Sequence, residues 1–186
     1  MKDVHRRNTR MPKLIKNGEV LEDRWTLLRD VSSPADLPTA DPVIVPLALW
    51  TSHRDALRQR GAVGVWLGPT DDPAVLVGDL EALPVVAIDF PKFADGRGYS
   101  IARLLRERYD YRGELRAVGD VLRDQLYNMA ECGFDAFAIR ADRDPHDALA
   151  SLKDFSGLYT STTHEPRPWF RRRAAAAASD ERGGTR

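Results

Sequence analysis

The chain has 186 residues, 42% hydrophobic and 30% charged, which suits one ordinary domain with a real core and a soluble surface. Lys plus Arg and Asp plus Glu each number 28, so the formal net charge is zero, which argues against a general nucleic-acid binder needing excess cationic charge to displace phosphate counterions. No apolar run approaches the roughly 20 residues of a membrane span, and the single cysteine, Cys132, excludes an internal disulfide and a multi-cysteine metal or iron–sulfur centre.

Residues 1–12, basic and without an apolar core behind them, read as a disordered leader and not as a secretory signal. Leu14 to Leu21 predicts a small β-hairpin whose Asn17-Gly18 pair supplies the positive φ angles of a tight turn. Trp25, Leu27 and Leu28 continue that hairpin or dock it on the main body, giving an N-terminal unit over residues 13–30. Ser32 to Pro42 is a proline-broken connector. From Val43 a regular alternation begins. A strand over Val43–Leu49 leads to a helix capped by Thr51 or Ser52, running to Arg60 and stopped at Gly61. Val63–Leu67 is a strand, and Asp72-Pro73 opens a helix carrying Leu76, Leu80 and Leu83. Val85–Ile88 is a buried strand, followed by a helix over Tyr99–Arg108 that presents Ile101, Leu104 and Leu105 on one face. Glu114–Val118 is a strand, and Asp120 caps a helix that runs to Cys132 and stops at Gly133. Phe134–Ile139 is a strand, and Asp144-Pro145 opens a last helix reaching about Phe155.

This grammar of strand then helix, repeated five times over residues 43–160, predicts an α/β fold. It implies a mostly parallel sheet of about five strands with helices on both faces. A half-sized or distorted β/α barrel produces the same pattern and stands as the alternative. Residues 161–186 read as an extended, largely disordered tail containing Trp169-Phe170-Arg171-Arg172-Arg173, a candidate docking peptide.

Charged and turn-forming residues gather where strands end and helices begin, which is where α/β domains hold ligands. The turn Asp95-Gly96-Arg97-Gly98-Tyr99-Ser100, with Lys92 just before it, is a candidate anion site: glycines let backbone approach a ligand, and Arg97 adds a fork of donors. The competing reading is a tight strand-to-helix turn whose charges pair with one another. The spacing matches neither a Walker loop nor the GxGxxG of a dinucleotide fold. Asp89, Asp120 and Asp142 fall at strand ends beside Lys92, Arg123 and Arg140, so Asp89, Asp120 and Arg123 are the candidate catalytic residues for moving a proton or holding a polar ligand. Capping is the simpler role for Asp120. Cys132 suits packing better than nucleophilic chemistry, and the four histidines lack metal-ligand spacing. The residues name no metal and no cofactor.

A series of segments carries a family resemblance. They are Val45-Pro46-Leu47-Ala48-Leu49-Trp50, Gly64-Val65-Trp66-Leu67, Asp89-Phe90-Pro91-Lys92-Phe93, Asp95 to Ser100, Gly113-Glu114-Leu115-Arg116-Ala117, Gly119 to Leu126, and Cys132-Gly133-Phe134-Asp135-Ala136-Phe137. Together they resemble a bacterial domain-of-unknown-function family labelled as an oxidoreductase of sulfite reduction. Genes of that family lie beside the gene for the sulfite/nitrite reductase haemoprotein. Asn128 departs from the pattern, at a place where a more apolar residue is expected.

The resemblance implies a cytoplasmic accessory protein or subunit of assimilatory sulfite reduction that binds a small anion and acts with that haemoprotein. It supplies no catalytic residues. Two other readings stand beside it: an enzyme acting alone on a phosphorylated or sulfated metabolite, and a purely structural interaction protein. No nucleic-acid or membrane partner is expected.

Overall fold

The computed structural model describes residues 9–10, 13–39 and 41–153. The last helix expected to reach Phe155 is therefore seen only in part, and the tail with its Trp169–Arg173 segment lies outside the described residues. Of the leader expected over residues 1–12, Thr9 and Arg10 are described. They form a short strand, β1.

The other strands are β2 (Leu14–Lys16), β3 (Glu19–Leu21), β4 (Thr26–Leu27), β5 (Val43–Pro46), β6 (Val63–Leu67), β7 (Val85–Phe90), β8 (Glu114–Gly119) and β9 (Ala136–Phe137). They form one sheet in the order β1-β4-β5-β6-β7-β8-β9-β2-β3. From β4 to β9 every neighbouring pair is parallel, and β1 and the β2–β3 hairpin pair antiparallel at the edges. The expected hairpin is present, with Asn17 and Gly18 at φ 51° and 79°. It is not a free-standing unit: Ile15 pairs with Phe137 and Lys16 with Ala136, so it extends the sheet beyond β9.

The sheet has more strands than the five expected, because short N-terminal strands join both of its edges. The helices also differ from expectation. Consecutive parallel strands that add always in the same direction, joined by right-handed crossovers, must place every connection on one face. The cores agree. One cluster joins Val43, Val45, Val65, Leu67, Ile88, Phe90 and Leu115 to the helical residues Trp50, Leu57, Leu76, Ile101, Leu105, Leu126 and Met129. The other, formed by Leu14, Leu27, Ile44, Val85, Ala87, Val118, Ala136 and Ala138 with Trp25 and Trp66 against it, contains no helical residue. The helices cover one face, and the opposite face packs on itself.

That is the behaviour of a curled sheet, and chain length requires the curl. Between β3 and β4 lie seven strand spacings, about 34 Å across a flat sheet at roughly 4.8 Å each. The five steps from Leu21 to Thr26 reach at most about 18 Å. Only a sheet bent into a half-barrel brings its two edges close enough, in line with the alternative architecture and not with an open, doubly wound sheet.

Local structure departs from expectation where tertiary contacts win. The strand expected to Leu49 ends at Pro46 and turns into helix α1 (Leu47–Ser52), which breaks at His53 before α2 (Arg54–Arg60). The helix expected over Pro73–Leu83 is two 3-10 turns, Pro73–Leu76 and Leu80–Ala82. Gly78 weakens it in the middle. Asp79 turns inward instead, only 2% exposed, to accept a 2.8 Å bond from the Trp50 indole and to pair with Arg58 and Arg54. Helix α3 (Arg97–Arg103) continues into one π turn, Leu104–Arg108. A 3-10 turn, Arg123–Gln125, precedes α4 (Leu126–Glu131), and α5 (Pro145–Ala150) begins under the Asp144 cap as expected.

Candidate functional site at the strand-end rim

In β/α barrels the C-terminal ends of the parallel strands share one rim, and the loops there hold the chemistry. Here β7 and β8 run side by side, with Asp89 opposite Val118 and Phe90 opposite Gly119. Gly119 has φ +97°, and a Cβ there would collide with the Phe90 carbonyl oxygen and lie 2.7 Å from Asp89 Oδ1. The chain therefore turns sharply against the end of β7, and the Asp120 amide donates to the Phe90 carbonyl at 2.7 Å.

Arg29, Asp89, Phe90, Pro91, Gly119, Asp120 and Arg140 line an open depression of about 430 Å³ above this turn. Arg29 arrives from the segment after β4. Its Nη2 donates to Asp89 Oδ1 at 2.6 Å, and its guanidinium lies over the Trp66 ring, 5.5 Å from the centroid. The Trp66 indole in turn donates to the Leu28 carbonyl at 3.0 Å. Arg140 arrives from the segment after β9. It donates through Nη1 to Asp120 at 3.0 Å, and through Nε and Nη2 to both Asp142 oxygens at 2.9 Å. These bonds hold the Asp142 carboxyl below the ordinary carboxylate range and push the Arg140 guanidinium up. Two guanidiniums thus flank the turn, each of them partly exposed. A guanidinium carries five N–H donors. Arg29 places one of them on Asp89.

The sequence-predicted residues separate into three places. Asp89 and Asp120 meet at the rim, but with other partners than their neighbours in sequence. Asp89 pairs with Arg29 in place of Lys92. Asp120 caps no helix: its Oδ2 accepts from the Phe93 amide at 2.9 Å, fastening the loop after β7. Gln125 grips the same loop from the other side, donating to the Phe93 carbonyl at 3.0 Å. Arg123 stands apart. It pairs with Asp124 and lines a separate hollow of about 400 Å³ with Arg143, Asp144 and Asp147.

In the Lys92–Ser100 turn, Arg97 is engaged by Asp95 through two side-chain bonds of 2.9 and 2.7 Å, which hold the Asp95 carboxyl low and push the Arg97 guanidinium up. Gly98 is buried, and a Cβ there would lie 2.6 Å from Phe90 Cζ, so packing on β7 demands this glycine. Tyr99 stacks edge-on against Phe90 at 5.5 Å, and burial pushes its hydroxyl up. Lys92, Gly96 and Ser100 are exposed.

Arg29 was not legible as a site residue, because it follows a two-residue strand and reaches the rim only through sheet topology. Arg140 was visible only as the partner of Asp142. Burial also pushes up the Cys132 thiol. Among the described residues no group of three His, Cys, Asp or Glu side chains has the arrangement of a metal site, and no helix is long and apolar enough to cross a membrane.

No curated protein matches the chain. Residues 64–170, more than half of it, match a family described as bacterial protein of unknown function (DUF934). The matched stretch runs from β6 onward and contains Asp89, Asp120, Arg123, Arg140 and the whole Lys92–Ser100 turn, while Arg29 precedes it. The chain belongs to that bacterial family, DUF934.

Proposed function

We propose that the protein is a cytoplasmic accessory component of assimilatory sulfite reduction. In this reading it binds a small oxyanion at the strand-end rim and works with the sulfite/nitrite reductase haemoprotein. The observation that carries the anion half is the pair of partly exposed guanidiniums, Arg29 and Arg140, on one depression at the C-terminal ends of the parallel strands. A planar guanidinium matches the oxygens of a sulfur or phosphorus oxyanion, and charge-assisted bonds of this kind are the strong ones. The sulfur context comes from the family resemblance of the sequence. Phe93, half exposed on a loop fastened at both its amide and its carbonyl, offers the haemoprotein a rigid aromatic contact beside the rim.

Two experiments test the two halves. Calorimetric titration with sulfate should show binding that Arg29→Ala and Arg140→Ala each weaken by about one to two orders of magnitude, the range for a lost bond to a charged group. Unchanged affinity in both variants overturns the rim as the anion site. A strain lacking the gene should grow on cysteine and fail on sulfate and sulfite. Equal growth on all three overturns the sulfur role.

A further inference from the structure

We infer that the segment from Glu22 to Arg29 is a strap across the open side of the half-barrel, and that its seating on a buried ion pair sets Arg29 at the rim. The inference rests on the anion reading above and adds a control over the same site. The segment leaves β3 at one edge of the curled sheet and crosses to β4, one strand in from the other edge. Asp23 lies near its start with its side chain 1% exposed, and Arg116, which points from β8 onto the concave face, is equally enclosed. Arg116 Nη1 donates to Asp23 Oδ2 at 2.8 Å, while the other Asp23 oxygen accepts from the Trp25 amide at 3.0 Å. Glu114 completes the group, accepting from Arg116 Nε at 2.6 Å and from Lys16 at 2.7 Å.

From this anchor the contacts run without a gap to the rim. Trp25 packs on the concave-face cluster. Thr26 and Leu27 pair with Val43 and Ile44. The Leu28 amide donates to the Ile44 carbonyl at 2.9 Å, and the Leu28 carbonyl accepts the Trp66 indole. Arg29 then lies over that same indole and reaches Asp89. β3 before it and β4 within it are only three and two residues long, so few ladder bonds hold it, and the interior ion pair adds a fixed point between them. A buried pair holds only while both charges are in place, because removing one leaves the other uncompensated. Asp23 and Arg116 are thus positioning residues that act through Arg29. By linkage, an anion that grips Arg29 must tighten the strap as much as the seated strap tightens the anion.

Hydrogen exchange on the full-length protein, read with sulfate titration, tests this. Asp23→Asn keeps the side-chain shape and the oxygen facing the Trp25 amide but loses the charge. Amides of residues 24–29 should then exchange at least about tenfold faster, those of Val85–Phe90 unchanged, with sulfate affinity falling to that of Arg29→Ala. The double variant should fall no further, since the two act as one. Wild-type protein supplies the second measurement: saturating sulfate should slow exchange at residues 24–29 and leave Val63–Leu67 untouched.

Several results overturn the inference. One is exchange at 24–29 that neither Asp23→Asn nor sulfate alters. Another is a loosened strap with sulfate affinity intact while Arg29→Ala loses it. If Arg29→Ala itself binds sulfate like the wild type, the anion reading at Arg29 fails, and the coupling fails with it. Should Asp23→Asn not fold, the wild-type sulfate measurement alone decides, slowing at 24–29 supporting the inference and its absence overturning it.

Discussion

Arg140 shows how a surface cation can be both held and available. Its bonds to Asp142 keep that carboxyl charged to lower pH than usual, below the ordinary value of 3.8. A carboxyl depressed in this way favours the paired state above its ordinary pKa and loses that contribution as pH falls through the depressed value. Both partners face solvent, so the effect on folding is small. The effect on binding is larger in principle, because Asp142 competes with any anion for the same N–H groups. Sulfate affinity should therefore stay level from neutral pH down to about the ordinary carboxylate range and rise below it. Asp142→Asn should bind more tightly at neutral pH, by less than about tenfold, and should show a smaller rise in acid, since Asp120 and Asp89 still hold the two guanidiniums. A titration of the two proteins side by side checks this, and an identical pH profile contradicts it. Gly98 makes a different point, that a glycine in a promising turn has a packing role of its own. Gly98→Ala should force the Phe90 ring to move and cost about 1–3 kcal/mol in a denaturant melt, with sulfate affinity at the rim unchanged. A stable variant that lost sulfate binding would return the glycine to a ligand-cradling role.

At the scale of elements, the strands were legible wherever local pattern decides. Val63–Leu67 has the expected bounds, and β7 and β8 extend one or two residues beyond them. Their apolar runs and the flanking turn residues are local properties, and the Asn17-Gly18 hairpin is another. Helices failed where a distant partner rearranged them. The pattern Leu76, Leu80, Leu83 is helical in period, yet Asp79 is pulled into the core by Trp50 and two arginines, and the segment becomes two 3-10 turns. Nothing within that segment announces partners 21 to 29 residues away. Asp79→Ala should leave a buried indole N–H and two cations without their acceptor, at a cost of about 3 kcal/mol. Chemical denaturation against Asp72→Ala, which removes only the exposed Ala74 cap bond worth about 1 kcal/mol, separates the two. Equal losses would mean that the Asp79 cluster contributes no more than a surface cap.

At the scale of the molecule, five strand-then-helix units suggested a sheet but could not say whether it lies open or curls. That question is settled by the edges. The N-terminal strands look peripheral in sequence, and they bind both margins of the parallel sheet and draw them together. The same arrangement carries Arg29 across to the ends of β7 and β8, so a rim whose Asp89, Asp120 and Arg140 were legible as strand-end residues acquires a second cation that no spacing rule could place. The central claim is that this rim, and not the Arg97 turn closed by Asp95, is where an oxyanion binds. A crystal grown with selenate in place of sulfate, read by its anomalous signal, tests it directly. The account predicts selenium between the Arg29 and Arg140 guanidiniums above Gly119. Selenium at the Gly96–Ser100 amides with the rim empty would contradict it.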